Sequence, residues 1–144
     1  MYKRQGFLVG DLNPKAVELL KTNVDRWVER AGRPFAPSTV VCEDARLWSN
    51  DERLSGRAHA VLVNLPHDSF EHLPAMFSLF CQEGESLLRG WTIVGRDELT
   101  RQKERLERLV REAGGEPLET EISEVKGFST TRCFAVFQTL FRWQ

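Results

Sequence analysis

The chain is short of several features that mark whole classes of protein. Its 3 cysteines, Cys42, Cys81 and Cys133, are widely spaced and form no CxxC pattern, which argues against a disulfide scaffold and a metal site. No apolar run approaches the roughly 20 residues needed to cross a bilayer, and the start is too polar for a signal peptide. We therefore expect an intracellular protein with reduced thiols that is neither secreted nor bound to a membrane: cytoplasmic, or mitochondrial or nuclear in a eukaryote.

A charge excess of one sign is also missing. Lys and Arg number 20 against 21 Asp and Glu, which gives a formal net charge of -1. No bulk basic field therefore indicates nucleic-acid binding, and any contact with RNA must be local. A length of 144 residues with 41% hydrophobic content is typical of one globular domain, so we predict a single domain over residues 1–144.

Strand-like runs alternate with helical patterns along the chain. The strand-like runs lie at 7–10, 39–42, 58–65, 87–94, 116–125 and 132–141. The helical patterns lie at 14–31, 69–82 and 97–113, with a weaker one after the second strand. Asn13 and Pro14 predict the first helix start and Gly32 its end, while Pro74 predicts a late start or a kink in the second helix. This order predicts an α/β fold with a mostly parallel sheet and an antiparallel hairpin at its carboxyl end.

Polar side chains follow three of the predicted strands. They are Asp11, Asp44 and Asn64. Ligands of open α/β sheets bind at the carboxyl ends of the strands, and a carboxylate offers two acceptor oxygens to the ribose diol of a nucleotide-like cofactor. Each residue also has a plainer interpretation: a charge at a helix start for Asp11, a turn residue for Asp44 and a strand exit for Asn64. The coincidence of all three at one predicted edge favours a ligand site.

The remaining polar groups have mostly structural interpretations. We interpret His59, His67 and His72 as surface or packing histidines, although His67 directly follows a strand exit, where a pocket would form. The arginines and lysine between residues 101 and 111 alternate with glutamates, which is typical of a solvated helix face. The glycine-rich loop that normally precedes such an acidic strand end is not found before Asp11 in this sequence.

A known family shares several segments of this sequence in register: GDLNPKAVELLKTNV, EDAR, VLVNLPHDSFEHL and EVKGFSTTRCFAVFQTLF. The chain resembles the S-adenosylmethionine-dependent tRNA (guanine-N1-)-methyltransferases, which act on the guanosine just 3′ of the anticodon, and their relatives in wybutosine synthesis. The resemblance runs over essentially the whole chain. It implies a Rossmann-like methyltransferase fold, S-adenosyl-L-methionine as cofactor, tRNA as partner and methyl transfer to N1 of that guanosine.

The resemblance also implies a set of site residues. Its cofactor-binding residues would be Asp11, Leu12, Asn13, Asp44, Ala45 and Asn64. Asp11 would bind the ribose, with Leu12 and Asn13 beside it, and Asp44 and Ala45 would flank the adenine. No metal ligand is implied.

The segment Asn64, Leu65 and Pro66 would lie beside the methionine end of the cofactor and the target guanine. Catalysis is accordingly assigned to Asn64 and Pro66. No residue is an obvious general base, and Asp68 is the only nearby carboxylate expected on the same side of the sheet.

The chain departs from the family at its beginning. The family's first strand and glycine-bearing loop are missing, as are an upstream Arg and the Glu that accepts the N1 proton. A positioned base contributes roughly a hundredfold, so we expect the 144 residues alone to be nearly inactive. We expect the strands ending at Asp11 and Asn64 to close up on each other, or residues 1–5 or a neighbouring chain to supply the missing pairing, which would bring self-association.

Three alternatives stay open. An aminocarboxypropyl transferase of wybutosine synthesis shares the scaffold and the cofactor. A non-catalytic nucleotide- or RNA-binding module is favoured by the missing loop and base. An NAD-type Rossmann oxidoreductase also carries an acidic residue after its second strand, but it explains neither the Asn-Leu-Pro segment nor the closing hairpin.

Overall fold

The structure is a computed structural model that describes residues 6–32 and 38–144. Its strands are β1 (Leu8–Asp11), β2 (Thr39–Cys42), β3 (Ala60–Val63), β4 (Glu85–Gly95), β5 (Gly115–Gly127) and β6 (Arg132–Trp143). Its helices are α1 (Pro14–Ala31), α2 (Ser69–Met76) and α3 (Leu99–Glu112). Short 3₁₀ segments lie at Ala45–Asn50, Phe77–Leu79 and Arg96–Glu98. The predicted α/β alternation is confirmed.

The strands form two sheets. β1 pairs with β2 in parallel, and the second sheet has the order β3-β4-β6-β5. β3 and β4 are parallel, whereas β6 is antiparallel to both β4 and β5. The sheet is therefore mixed and carries the antiparallel hairpin that the sequence predicts at its carboxyl end.

The expected closing-up of β1 on β3 is not observed. These two strands belong to different sheets, and in the part of the chain that the structure describes no hydrogen-bonded ladder joins them. Residues 1–5, the second expected source of pairing, lie outside the described residues. Pairing by a neighbouring chain stays a prediction.

The chain divides into two compact units by its internal contacts. Unit 1 extends to Trp48, and unit 2 comprises Ser49–Gln144. The prediction of one domain over residues 1–144 stays a prediction.

Helix α1 of unit 1 begins and ends where the sequence predicts. The side chain of Asn13 accepts a hydrogen bond from the backbone N–H of Lys15 at 3.0 Å, and Pro14 occupies the first helical position. Gly32 ends the helix with φ 59°, a left-handed conformation that glycine adopts at low cost. Local capping signals thus fix both ends of α1.

The core of unit 2 is built on β4 and β6. Alternate residues of β6 are buried, as expected for a strand whose two faces differ. Phe80 and Phe141 are almost fully buried and pack edge to face with 5.2 Å between ring centroids. Each such buried aromatic side chain contributes about 1.5–3 kcal/mol through burial. Cys133 is also fully buried, and this burial raises the pKa of its thiol.

Helix α2 is shorter than the sequence predicts. It starts at Ser69, without the late start suggested by Pro74, and ends at Met76 rather than near residue 82. Phe80 is extended and forms a parallel bridge with Ala58. The backbone groups that follow the 3₁₀ segment therefore form hydrogen bonds with residues near Ala58, and the helix does not continue.

Helix α3 starts two residues later than the predicted Asp97. A 3₁₀ turn precedes it, in which the Glu98 carboxylate accepts the N–H of Gly95 at 3.2 Å. Leu106 and Val110 are its buried residues. None of the described helices has the length and apolar character required to span a membrane.

Candidate functional site

The two strands of unit 1 end side by side. Asp11 is in register with Cys42, so the residues that follow each strand leave the sheet at one edge. The Cys42 Sγ lies 3.7 Å from the carbonyl oxygen of Leu12, a weak contact between the two exits. Asp44 follows two residues after β2 and Ala45 opens a 3₁₀ turn. The structure thus brings the five predicted unit 1 residues, Asp11, Leu12, Asn13, Asp44 and Ala45, to one edge.

The Asp11 carboxylate is exposed and only partly engaged. Its Oδ1 accepts the backbone N–H of Asn13 at 2.8 Å. Its Oδ2 makes no hydrogen bond to the described residues. Beside it the side chain of Leu12 is 69% exposed, which is unusual for a large apolar residue. A ligand with a pair of hydroxyl groups and a flat apolar ring could therefore donate hydrogen bonds to the Asp11 carboxylate and pack its ring against Leu12.

Arg46 holds the Asp44 carboxylate. The Arg46 Nε lies 3.0 Å from Oδ1 and 3.1 Å from Oδ2, and the Arg46 backbone N–H donates to Oδ1 at 2.9 Å. The Arg46 Nη2 also donates to Oδ2, and this bidentate geometry orients the carboxylate and balances its charge. A ligand amino group bound here would share Asp44 with Arg46.

Gly10 leaves room for an indole beside this edge. A Cβ placed on Gly10 would lie 2.4 Å from Cζ2 of Trp48 and 2.7 Å from the carbonyl oxygen of Val41. Only glycine allows so close an approach. The indole N–H of Trp48 is buried and has no hydrogen-bond partner among the described residues.

In unit 2 the segment after β3 is fixed by its backbone. The carbonyl oxygen of Leu65 accepts the N–H of Asp68 at 2.9 Å, and that of Pro66 accepts the N–H of Ile93 at 2.8 Å. Asn64 is exposed, and its side-chain amide makes no hydrogen bond to the described residues. The segment therefore presents a rigid backbone and an unengaged amide. Asn64 and Pro66 lie in unit 2 and the other predicted site residues in unit 1, so all their assigned roles stay predictions.

A cavity of about 150 Å³ lies in unit 2 at the carboxyl end of β4. Its polar lining includes His67, Glu71, Glu98, Gln102, Arg105 and Arg132. His67 thus lines a pocket, the less favoured of its two interpretations. Glu98 and Gln102 were not singled out from the sequence. The spacing of 98, 102 and 105 places three polar residues on one helix face, which is the sequence feature that could have indicated them.

Arg105 corrects the interpretation of α3 as carrying a purely solvated basic face. Its guanidinium lies 3.0 Å from Oε1 of Glu71 and 5.2 Å from the ring centroid of Phe70. Its side chain is 34% exposed. The arginine lies against α2 because it meets a carboxylate and an aromatic face there, neither of which the local sequence of α3 reveals.

Among residues 6–32 and 38–144, no group of three or more His, Cys, Asp or Glu side chains is arranged to hold a metal ion. Cys42 is exposed, Cys81 intermediate and Cys133 buried, and all three are free thiols. The polar residues that line the cavity are therefore not arranged as a metal-ligand cluster.

The fold is shared with several solved structures, among them a tRNA methyltransferase and a protein in complex with AdoMet. M. jannaschii TYW2 in complex with AdoMet has a TM-score of 0.73 at 15% identity over 99% of this chain and 71% of that one. M. jannaschii tRNA m1G37 methyltransferase has a TM-score of 0.67 at 20% identity over 95% of this chain and 38% of that one. Trm5b from Pyrococcus abyssi has a TM-score of 0.66 at 15% identity over 98% and 46%.

These likenesses confirm the predicted Rossmann-like methyltransferase fold class. The chain spans between 38% and 71% of the lengths of those three proteins. Neither a protein-family model nor a curated protein sequence matches the chain. At such low identity the shared property is the fold.

Proposed function

We propose that this chain is part of a tRNA-modifying enzyme that binds S-adenosyl-L-methionine and methylates N1 of the guanosine 3′ of the anticodon. The observation that carries the proposal is the edge of unit 1, where Asp11 and Asp44 leave neighbouring parallel strands together. The fold likeness to M. jannaschii tRNA m1G37 methyltransferase supports it. The proposal includes a location inside the cell, where tRNA is found.

The residues at this edge fit the adenosine part of the cofactor. The free Oδ2 of Asp11, together with the already engaged Oδ1, accepts hydrogen bonds from the two ribose hydroxyls. The exposed side chain of Leu12 gives the adenine ring an apolar contact. Asp44, oriented by Arg46, accepts a hydrogen bond from an amino group. Each of these interactions uses a group that the fold already holds in position.

The segment after β3 would act on the base. When bound, S-adenosyl-L-methionine supplies an electrophilic methyl group. The unengaged amide of Asn64 both donates and accepts, so it can hold the edge of a base. Pro66, anchored to Ile93 through its carbonyl oxygen, restricts the backbone on which Asn64 is carried. These two residues would therefore orient the base.

A second candidate is transfer of the aminocarboxypropyl group of the same cofactor to tRNA. The specific observation that favours it is the higher TM-score and coverage of M. jannaschii TYW2, 0.73 over 71% of its length. The same acidic edge would serve both reactions. The two candidates differ in which carbon bonded to the cofactor sulfur is attacked, and hence in the group that is transferred and the sulfur compound that is released.

Cofactor binding tests the proposal at unit 1. We expect S-adenosyl-L-methionine to bind the chain saturably in calorimetry, and Asp11→Ala to weaken binding about tenfold or more because the ribose loses its acceptor. Asp44→Asn should weaken binding less, since an amide oxygen remains. Asp25→Ala, which removes an exposed carboxylate of α1, is the matched control and should bind like the unchanged chain. Equal affinity of Asp11→Ala and the control would contradict the proposed site.

Two labelled forms of the cofactor separate the candidate reactions. Incubation with a tRNA transcript and methyl-labelled cofactor transfers label only in methylation, whereas carboxyl-labelled cofactor transfers label only with the aminocarboxypropyl group. Single-turnover conditions with excess chain are needed because slow transfer is expected. Cofactor binding without transfer of either label over long incubation would favour the non-catalytic nucleotide-binding module.

A further inference from the structure

We propose that the tip of the β5–β6 hairpin is a stacking platform for an unpaired nucleotide of RNA. The platform consists of the Phe128 ring and the cations Lys126 and Arg132. The inference rests on the proposed function for the nature of the nucleic acid, and it adds which surface meets the strand and which form of RNA that surface prefers. Phe128 is not among the residues that line the cavity of unit 2, so the platform is a separate surface of the same unit.

Phe128 presents an aromatic ring to solvent. It is 52% exposed, whereas the other phenylalanines of unit 2 are buried or half-buried. The His67 ring meets it edge to face with 6.2 Å between ring centroids, and the Arg132 guanidinium lies 5.6 Å from its centroid. A single exposed apolar residue is common on protein surfaces. The rigidity and the charge of its surroundings therefore decide whether this ring is a binding surface.

The hairpin tip holds the ring in a fixed position. The backbone N–H groups of Phe128 and Ser129 both donate to the carbonyl oxygen of Arg132 at 3.0 Å, and the Arg132 N–H donates to Oγ of Ser129 at 3.1 Å. The Arg96 guanidinium donates to the carbonyl oxygens of Ser129 at 3.0 Å and Thr130 at 2.7 Å. A surface that is already ordered loses little conformational entropy on binding. The tip is therefore pre-organised for a ligand.

Two cations lie on one face of the hairpin beside the ring. Lys126 is opposite Phe134 in the β5–β6 ladder, and Arg132 precedes Phe134 by two positions, so both project from the same face. The Lys126 Nζ lies 5.4 Å from the ring centroid of Phe134, in agreement with this placement. Both cations are exposed. Among the described residues the Arg132 guanidinium donates one hydrogen bond, from Nη2 to the carbonyl oxygen of Ile93, so its other N–H groups can bind phosphate oxygens.

An exposed ring flanked by cations matches single-stranded nucleic acid. Every base has a face that stacks on an aromatic side chain, and the neighbouring phosphates carry the charge that cations bind. In a duplex those faces are covered by the adjacent base pairs, so the ring would have none to stack on. The exposed residues Ser129, Thr130 and Thr131 add hydroxyl groups at the same tip, which can contact phosphate or ribose. The platform therefore selects unpaired RNA rather than a particular base.

Binding of labelled oligonucleotides tests the inference. We expect a guanosine-free single-stranded RNA of about ten nucleotides to bind the chain about tenfold or more tightly than the same RNA paired with its complement, by fluorescence anisotropy. The strand lacks guanosine so that the target base of the proposed reaction does not contribute. Equal binding of both forms, or tighter binding of the duplex, would overturn the inference. Tighter binding of single-stranded DNA of the same sequence would overturn the assignment to RNA.

Substitutions at Phe128 assign the effect to the hairpin tip. Phe128→Ala should weaken binding of the single strand about tenfold, because the stacking face is lost, while Phe128→Trp should retain it. Leu118→Ala removes another exposed apolar side chain of the same hairpin and is the matched control. Circular dichroism checks the fold of each variant. Unchanged RNA affinity of a folded Phe128→Ala variant would refute the platform and would indicate that the exposed ring contacts a protein instead.

The salt dependence of binding tests the cationic part of the platform. Lys126→Gln should reduce the slope of log K against log salt concentration by about 0.7, the value for one phosphate contact on a single strand. Lys103→Gln changes an exposed lysine of α3 and should leave the slope as it is. An unchanged slope in Lys126→Gln would show that Lys126 contacts no phosphate and would remove it from the platform.

The readouts of this inference and of the proposed function are distinguishable. Phe128→Ala should leave the affinity for S-adenosyl-L-methionine unchanged, and Asp11→Ala should leave the affinity for the guanosine-free RNA unchanged. Binding of the single strand through Phe128 without cofactor binding would refute the proposed function and support the platform. Cofactor binding with no preference for the single strand would refute the platform alone.

Discussion

Gly10 illustrates how one residue shapes the edge on which Asp11 lies. The absence of a side chain lets the Trp48 ring approach the β1 backbone, at a place where an added Cβ would be 2.4 Å from a ring carbon. Nothing in the local sequence marks Gly10 as different from other strand glycines. Its requirement arises from a residue 38 positions later in the sequence.

Replacing Gly10 should therefore destabilise unit 1. We expect Gly10→Ala to lower the free energy of unfolding by about 1–3 kcal/mol, because the new methyl group overlaps both the indole and the Val41 carbonyl. Urea unfolding followed by Trp fluorescence measures the change. Lys21→Ala, at an exposed position on α1, should change stability by less than about 0.5 kcal/mol. A Gly10→Ala variant as stable as this control would show that the close approach is not required.

The residues of the candidate sites differ in whether the sequence alone predicts them. Asp11 and Asp44 could be predicted because the residue that follows an apolar run lies at a sheet edge. Gln102 was not predicted, because the spacing that it shares with residues 98 and 105 does not distinguish it from the many charged residues of the same helix. Its oxygen becomes unusual only in the folded chain, where it is buried and has no hydrogen-bond partner among the described residues.

At the scale of elements, the β5–β6 pair carries a polar link inside an otherwise apolar region. The hydroxyl oxygens of Thr120 and Thr139 lie 2.9 Å apart, and both residues are buried. Each hydroxyl satisfies the other, so neither is left unpaired. Such a pair contributes little to the net free energy of unfolding. Removing only one of the two hydroxyls, however, lowers that free energy, because the other hydroxyl is left buried without a partner.

A double-mutant cycle tests this link. Thr139→Val should destabilise the chain by about 1–3 kcal/mol, because it leaves the Thr120 hydroxyl buried without a partner. Thr120→Val should do the same, while the double substitution should cost clearly less than the sum of the two. Urea unfolding of the four proteins gives the coupling energy. Strictly additive losses would show that the two hydroxyls do not depend on each other.

Helices differ in how much of them the sequence predicts. Both ends of α1 were predicted correctly because Asn13, Pro14 and Gly32 act within a turn of the helix ends. The carboxyl end of α2 was predicted about six residues too late, since the bridge from Phe80 to Ala58 replaces further helix. That bridge joins residues 22 apart in sequence, beyond the range of capping signals.

At the scale of the whole molecule, the two units differ in how they are stabilised. Val17 is the one residue of unit 1 among the buried hydrophobic residues described, whereas the others lie in unit 2. Burial of apolar side chains is the main favourable term in folding. Unit 1 should consequently open more readily than unit 2.

Hydrogen exchange measures this difference. We expect the amides of β1, β2 and α1 to exchange at least tenfold faster than those at the centres of β4 and β6, because local opening exposes few apolar side chains in unit 1. Saturating S-adenosyl-L-methionine should slow exchange at the β1–β2 edge, since a ligand bound only to the folded form stabilises it. Uniform exchange rates across both units would contradict the expected difference.

The sequence by itself determined the α/β order, the ends of α1, the closing hairpin and the polar strand ends at Asp11, Asp44 and Asn64. Each of these depends on residues within a few positions of one another, because capping and strand alternation are local properties. Only the tertiary structure decided the separation of β1 and β3 into two sheets and the grouping of Gln102 with Arg132 around a cavity. Those features require contacts between residues far apart in sequence, whose geometry is set by packing and not by local pattern.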